Sequence, residues 1–302
     1  MQKPQKLQSG DSIRIISTAR KISKKELKPA IERFESWGLI VEFGENLFKE
    51  DHQFAGTKEE RLADLQAALD DENIKAIVCA RGGYGTVQLI DQVNFIKFQA
   101  SPKWLVGYSD VTVLHNHINQ LLNIQTIHAT MPINFLPINE YDIAVESLKK
   151  ALFGEDLSYS FKAGKGSQLD FTNLRAPIVG GNLSILYSLC GSRSQLNTEG
   201  KFLFIEDLDE YLYHIDRMMM SLKRSGLLMN CKAVLVGGMT DMNDNTIPFG
   251  KTAKEIILDN VKELGIPIIF GVPAGHIKEN KALIFGKPLN IVCERENIKM
   301  NF

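Results

Sequence analysis

The chain has 302 residues, which is long enough for two ordinary domains. Its hydrophobic content of 44% and charged content of 24% are typical of a soluble globular protein. A formal net charge of −1 gives no electrostatic reason to expect a nucleic-acid partner, and no stretch approaches the ~18 apolar residues of a membrane-spanning helix.

The N-terminal segment has neither the apolar core nor the small-residue cleavage site of a signal peptide, so we expect a cytoplasmic protein. The four cysteines are far apart, lie in apolar surroundings and form no C-x-x-C pair. This pattern argues against a thiolate zinc site and favours reduced, buried thiols. We therefore expect no metal and no cofactor.

The first half of the chain alternates between strand-like and helix-like patterns. Apolar runs predict strands at 12–17, 39–43, 74–80 and 104–106, and a further strand that ends at 128. Helical spacing of apolar residues predicts helices at 24–37 and 59–69, and others that begin near 86 and near 110. Such alternation predicts a parallel sheet flanked by helices, whose ligands bind at the carboxyl ends of the strands.

The pattern becomes irregular between 139 and 173, where a helix at 143–153 precedes a polar, glycine-containing run at 162–168. We place the domain boundary there, which gives domains 1–165 and 166–302. In the second domain we expect strands at 201–205, 233–237 and 267–270, helices at 215–225 and 253–264, and a β-rich tail. The sequence therefore predicts two α/β domains.

Ser109 follows the predicted strand 104–106 and precedes the helix that begins near Asp110. Serine at such a position is a common helix N-cap. The segment Gly107-Tyr108-Ser109 also resembles the front half of a nucleophile elbow, G-x-S-x-G, although Val111 replaces the trailing glycine. Both interpretations remain open at this point.

A catalytic serine requires a base, and the chain has six histidines. We interpret His115 and His117 as helix-surface or interdomain residues, because they lie farther along the same helix. His128 ends a strand and can line a crevice, whereas His276 follows a strand end and a glycine-containing loop. His276 is either the base or a solvated loop residue.

Four carboxylates follow the strand 201–205 and are candidates to orient a base: Glu206, Asp207, Asp209 and Glu210. Successive side chains of an extended segment point to opposite faces, so Glu206 and Asp207 cannot both face one imidazole. Glu206 is the first residue beyond the apolar strand, whose rigid end can fix a side chain. Capping of a helix is the alternative role for these acids.

Five motifs occur in an order and spacing that resemble the LD-carboxypeptidases, a family of serine peptidases that includes the microcin C self-immunity proteins. The motifs are ARGGYG (80–85), GYSD (107–110), GGNL (180–183), IED (205–207) and GH (275–276). The resemblance extends from Ser12 to about Gly286. One departure is His128-Ala129-Thr130, where relatives commonly have His-Gly-Pro.

The resemblance implies a Ser-Glu-His triad at Ser109, Glu206 and His276. It also implies an N-terminal flavodoxin-like domain with the serine, a smaller C-terminal α/β domain of the swivelling type with the other two residues, and a homodimer. In such a site the backbone N–H groups of Asp110 and of Gly83 would form the oxyanion hole, with Gly82 as the alternative to Gly83.

The resemblance further implies release of the C-terminal D-alanine from L,D-linked murein tetrapeptides during cytoplasmic peptidoglycan recycling. Arg81, Gly82 and His128 are possible substrate-binding residues, although Arg81 can equally brace the glycine turn. The alternative substrate is a peptidyl- or acyl-adenylate. We expect no aromatic shelf for a nucleotide base, because Trp37 and Trp104 both lie in core-like patterns. A non-enzymatic flavodoxin-like module that holds a phosphate on the glycine turn is a third interpretation.

Overall fold

The computed structural model describes residues 1–302 and contains thirteen strands and eight α-helices. The strands are β1 (Ser12–Ile16), β2 (Ile40–Phe43), β3 (Ile74–Cys79), β4 (Trp104–Gly107), β5 (Thr126–His128), β6 (Ser158–Lys162), β7 (Asn173–Asn182), β8 (Phe202–Leu208), β9 (Ala233–Thr240), β10 (Ile268–Phe270), β11 (Leu283–Phe285), β12 (Pro288–Glu294) and β13 (Asn297–Asn301). The helices are α1 (Lys24–Ser36), α2 (Lys58–Asp70), α3 (Ile96–Ala100), α4 (Thr112–His117), α5 (Ile143–Phe153), α6 (Leu183–Ser188), α7 (Leu212–Arg224) and α8 (Ala253–Val261).

The first sheet has six strands in the order β2-β1-β3-β4-β5-β11. The first five are parallel, as the residue pattern predicts, and their order is that of flavodoxin-like folds, as the family resemblance implies. Because β3 and β4 are neighbours and parallel, the glycine turn after β3 and Ser109 after β4 lie at the same edge of the sheet. The last strand, β11, comes from the end of the chain and pairs antiparallel with β5.

The second sheet has seven strands in the order β10-β9-β8-β7-β12-β13-β6. Strands β7 to β10 are parallel, whereas β12, β13 and β6 are antiparallel. The domain boundary predicted at residue 165 does not separate the strands of the first sheet from those of the second. Strand β6 precedes the boundary but pairs with β13, and β11 follows it but belongs to the first sheet.

One apolar core of 42 residues continues from the first sheet into the second, and it includes Trp104, Phe204 and Phe285. A second cluster of 21 residues lies under α6, α7 and α8. Trp37 and Trp104 are buried, as the sequence predicts. The continuous core fixes one sheet against the other, and therefore fixes the ends of β4 and β8.

Two local predictions were wrong. The helix expected from about Thr86 is broken into two short 3₁₀ turns, Thr86–Gln88 and Ile90–Gln92. His115 does not lie on a helix surface, because it is fully buried and its Nε2 lies 2.9 Å from the carbonyl oxygen of Gly107. His117 contacts a residue from the second half of the chain, because its Nδ1 lies 2.9 Å from Ser194 Oγ.

Candidate active site

Ser109 is the first residue of a short 3₁₀ segment, Ser109–Val111, that joins β4 to α4. Its φ of 63° is in the left-handed region, which is costly for a residue with a side chain. The helical segment has no side-chain N-cap, and Ser109 Oγ makes no hydrogen bond to the protein. The N-cap interpretation is therefore wrong, and the geometry is that of a serine displayed on a sharp strand-to-helix turn.

The glycine turn after β3 lies directly against Ser109. A Cβ placed on Gly82 would lie 2.8 Å from Ser109 Cβ, so only glycine fits there. Gly83 has a φ of +124°, and a side chain on it would meet Arg20. The N–H groups of Gly82 and Gly83 donate no hydrogen bond to another protein group, which leaves them as donors beside the serine.

Asp110 follows Ser109, and its side chain is buried away from the cavity. Oδ2 accepts the backbone N–H of Thr86 at 2.9 Å. Burial raises the pKa of this carboxyl, against the lowering effect of its hydrogen bonds at Thr86. The side chain thus connects the helix that follows Ser109 to the end of the glycine turn.

Glu206 and His276 form a close pair at the end of β8. Glu206 is fully buried, and its Oε2 lies 2.6 Å from His276 Nδ1 and accepts the His276 backbone N–H at 2.9 Å. Gly275 makes this approach possible, because a Cβ there would lie 2.7 Å from Glu206 Oε2. Thr240 Oγ1 donates to the His276 carbonyl at 2.9 Å and fixes the loop from the other side.

The side chain of Asp207 makes its hydrogen bonds on the opposite side of β8 from that of Glu206. Its Oδ1 accepts from Asn182 Nδ2 at 2.8 Å, and its Oδ2 accepts the backbone N–H of Ser184 at 2.9 Å. Burial, and secondarily the charge of Glu206, raises the pKa of Asp207 to about 7. Asp207 therefore holds the start of α6 and does not contact His276.

A cavity of about 690 Å³ lies between the two sheets, and His276 and Tyr108 both line it. The ring centroids of these two residues are 4.7 Å apart, and Asn134 Nδ2 donates to Tyr108 Oη at 2.8 Å. Because Tyr108 directly precedes Ser109, the turn that carries Ser109 and the loop that carries His276 meet at this cavity. No hydrogen bond joins Ser109 Oγ to His276 in this structure.

The structure does not bring His128 to the cavity. Its side chain is fully buried among aromatic rings, including Tyr108 and Phe285, and neither ring nitrogen has a hydrogen-bond partner. Burial holds the pKa of His128 well below its usual value. A ligand in the cavity has no access to this ring, so the expectation that His128 binds substrate is not supported.

Arg81 also lies outside the cavity lining. Its guanidinium donates to the Lys21 carbonyl at 3.2 Å and lies 3.9 Å from a carboxylate oxygen of Glu26. Both contacts attach the glycine turn to the α1 region, which favours the bracing role over substrate binding. The one lysine or arginine that lines the cavity is Lys278, two residues beyond His276.

The GGNL motif (180–183) lies against the start of α4. In the structure, a Cβ on Gly181 would lie 2.5 Å from Thr112 Oγ1, and the Asn182 N–H donates to the same oxygen at 3.0 Å. Thr112 is the first residue of α4, three residues after Ser109. The motif thus holds the serine-bearing turn against β7, the neighbour of the strand that carries Glu206.

No group of three or more His, Cys, Asp or Glu side chains is arranged to hold a metal ion. None of the helices has both the length and the apolar character needed to cross a membrane.

Two family profiles match the chain. The LD-carboxypeptidase N-terminal domain matches residues 13–129, and the LD-carboxypeptidase C-terminal domain matches residues 175–291. The first match contains Ser109 and the glycine turn, and the second contains Glu206 and His276.

The chain is 33% identical over 289 residues to a protein described as a probable murein peptide carboxypeptidase of Bacillus subtilis, covering 94% of this chain and 89% of the relative. Its fold matches the crystal structure of the muramoyltetrapeptide carboxypeptidase from Oxalobacter formigenes, with a TM-score of 0.86, 24% identity, and coverage of 96% and 98% of the two chains. It also matches a microcin C7 self-immunity protein in complex with aspartyl sulfamoyl adenosine, with a TM-score of 0.85, 21% identity, and coverage of 99% and 98%.

Proposed function

Because the chain belongs to the LD-carboxypeptidase family, a family of murein peptide carboxypeptidases, we propose that it releases the C-terminal D-alanine from L,D-linked murein tetrapeptides. The observation that carries the proposal is the bonding of Glu206 to both the ring and the backbone of His276, at a cavity whose other side includes the residue before Ser109. We place this activity in cytoplasmic peptidoglycan recycling, carried out by a homodimer.

In the proposed mechanism, Glu206 holds the proton of His276 on Nδ1, so Nε2 is the nitrogen that takes the proton from Ser109. The serine oxygen attacks the carbonyl of the bond before D-alanine and forms a tetrahedral intermediate. The imidazolium then gives its proton to the leaving amine of D-alanine. Water attacks the acyl-enzyme by the same route, with His276 again as the base.

Ser109 and His276 need to come within hydrogen-bonding distance for this transfer. Ser109 follows β4 of the first sheet, whereas His276 lies in the loop that follows β10 of the second sheet. Tyr108 lies against the imidazole at 4.7 Å between ring centroids. Catalytic hydrogen bonds are often long without substrate and tighten when the substrate binds. We infer that substrate in the cavity moves the Tyr108 ring or the His276 loop enough to close this gap.

The negative charge that develops on the carbonyl oxygen requires aimed donors. We assign this role to the backbone N–H of Asp110 and the N–H of Gly83, with Gly82 as the alternative donor. The absence of protein acceptors for the two glycine N–H groups supports the assignment. The carboxylate of the departing D-alanine needs a cation, and Lys278 is better placed than Arg81 because it lines the cavity.

A specific observation also favours the adenylate alternative. Tyr141 lines the cavity and is 76% exposed, so an aromatic ring is present where we expected none. Such a ring can stack on a nucleotide base. The likeness to the microcin self-immunity structure shows the shared fold, and it does not choose between the two substrates.

The non-enzymatic interpretation has less support. A phosphate on a glycine turn usually gains from the N-terminus of a following helix. Here the turn is followed by a 3₁₀ segment of only three residues, Thr86–Gln88, which supplies little of that field. The buried Glu206–His276 pair also has no role in a phosphate-binding module.

Three parallel assays with the purified protein separate these functions. In the first, a murein tetrapeptide with lysine or diaminopimelate at its third position is incubated with the protein, and free D-alanine is measured. In the second, an aminoacyl sulfamoyl adenosine is tested for hydrolysis, and in the third a nucleotide or flavin is titrated. The proposal predicts D-alanine release that far exceeds adenylate cleavage. Adenylate cleavage alone, or tight nucleotide binding without hydrolysis, would contradict it.

A further inference from the structure

The side chain of Asp110 has a position that the proposed mechanism does not use. It points away from the cavity and is 1% exposed, and therefore does not touch a substrate. Its Oδ2 accepts the backbone N–H of Thr86 at 2.9 Å, while Oδ1 has no hydrogen-bond partner. Thr86 is the first residue after the glycine turn, and Asp110 is the first residue after the serine.

The glycine turn has few other attachments. Gly82 and Gly83 donate no backbone hydrogen bond, and the turn contains three glycines, which restrict the backbone least. At its end, Arg61 Nη1 donates to the Gly85 carbonyl at 3.3 Å and to the Thr18 carbonyl at 2.7 Å. Apart from the contacts of Arg81 with Lys21 and Glu26, the turn is therefore positioned from Thr86 and Gly85, through buried side chains of two other elements.

A second hydrogen bond strengthens the same point of attachment. Thr86 Oγ1 lies 2.7 Å from Thr18 Oγ1, just beyond the end of β1. Asp110, Thr86 and Thr18 thus connect the carboxyl ends of β4, β3 and β1. Of these bonds, only the one from Asp110 ties the turn to the segment that carries Ser109.

We propose that Asp110 is a positioning residue, whose side chain holds the Gly82–Gly85 turn against Ser109 so that the turn's N–H groups face the oxyanion. The inference rests on the proposed function of Ser109, because it needs an oxyanion to form there. It assigns to the side chain a role separate from that of the Asp110 backbone N–H.

The role requires an oxygen that accepts a hydrogen bond, not a negative charge. A charge next to the oxyanion hole would oppose the negative charge that develops during the reaction. Asp110→Asn keeps an acceptor oxygen and is expected to lose much less activity than Asp110→Ala, which loses the acceptor. Because misplaced donors act on the transition state, Asp110→Ala is expected to lower kcat and leave KM nearly unchanged.

The test compares Asp110→Asn, Asp110→Ala and a matched control, Asp64→Ala. Asp64 is also a buried carboxylate of the first domain that accepts a backbone N–H, from Asn46, but it lies in α2 away from Ser109. Each variant is measured for melting temperature, for kcat and KM of D-alanine release, and for the rate at which a fluorophosphonate modifies Ser109. The phosphonyl oxygen uses the same donors as the substrate oxyanion.

We expect Asp110→Ala to lower kcat and the modification rate by about 100-fold or more, with KM changed less than about threefold. Asp110→Asn should lose at least about tenfold less kcat than Asp110→Ala, and Asp64→Ala should lose stability without loss of kcat. A folded Asp110→Ala with normal kcat, or an Asp110→Asn as damaged as Asp110→Ala, would overturn the inference. If the unmodified protein neither releases D-alanine nor reacts at Ser109, the proposed function itself fails.

Discussion

Glu206 and Asp207 are adjacent in β8, and their side chains make hydrogen bonds on opposite sides of the strand. Glu206 Oε2 bonds to the imidazole Nδ1 of His276 and accepts a hydrogen bond from its backbone N–H. The Asp207 carboxylate instead accepts hydrogen bonds from the Asn182 side-chain amide and from the Ser184 backbone N–H. The alternation of side chains along a strand is the physical reason. Two neighbouring carboxylates thereby acquire different environments, one beside the histidine and one at the start of a helix.

Replacing each acid by its amide tests which of the two carboxylates the reaction needs. We expect Glu206→Gln to lower kcat for D-alanine release by about four orders of magnitude, because an amide favours the wrong imidazole tautomer. Asp207→Asn should reduce kcat by less than about tenfold, since it changes the start of α6 and not the histidine. Circular dichroism spectra of both variants would serve as the check that they are folded. A folded Asp207→Asn more damaging to kcat than Glu206→Gln would move the catalytic acid by one residue.

The pH dependence of stability gives a second test of Asp207. Its pKa is raised to about 7 by burial and by Glu206, so between about pH 4 and pH 7 the folded protein holds a proton that the unfolded chain has lost. Stability should therefore fall as pH rises across this range, by up to about 1.4 kcal/mol per pH unit. Urea unfolding at several pH values should show this fall, and Asp207→Asn should flatten it. The exposed Asp170→Asn is the control, and equal slopes in all three proteins would contradict the prediction.

The left-handed conformation of Ser109 predicts an unusual order of stabilities. Both Ser109→Ala and Ser109→Gly should be inactive, but the glycine variant should be at least as stable as the alanine variant, because glycine adopts a φ of 63° without strain. At Ser221, inside α7, the order should be the ordinary one, with alanine more stable by about 1 kcal/mol. Denaturant unfolding measures both pairs. A Ser109→Ala more stable than Ser109→Gly by the ordinary helix difference would contradict a strained turn.

Substitution of Gly275 tests whether turnover requires the close approach of Glu206 to His276. Its φ is +99° and a Cβ would lie 2.7 Å from Glu206 Oε2, whereas Gly191 has a φ of +80° with nothing within 4 Å. Alanine at either position should cost about 1 kcal/mol of stability from backbone strain. Only Gly275→Ala should also lower kcat, by about 100-fold, since it displaces the carboxylate. Equal kcat in both variants would show that this approach is not needed for turnover.

Much of the first sheet could be predicted because its information is local. Apolar runs and helical spacing place β1 to β5, and parallel strands bring their carboxyl ends to one edge, where Ser109 and the glycine turn meet. The opposite orientations of Glu206 and Asp207 follow from the same local geometry. The catalytic roles of these residues remain predictions.

The remaining features depend on contacts between distant segments. Nothing in the periodicity of 283–285 indicates pairing with β5, and that pairing helps to bury His128 beneath Phe285. The role of Gly181 depends on contact with Thr112, nearly seventy residues earlier in the chain. Tyr141 lies in a segment without regular pattern, so its position in the cavity had no local signal.

Mass spectrometry of a muropeptide mixture shows whether Ser109 acts on murein tetrapeptides. The mixture contains tetrapeptides and tripeptides and is incubated with the protein, with Ser109→Ala, or with neither. We expect the tetrapeptides to be converted to tripeptides, with release of one D-alanine each, only in the sample with unmodified Ser109. Tetrapeptides that stay intact with the unmodified protein, or that are converted equally by Ser109→Ala, would show that Ser109 does not act on them.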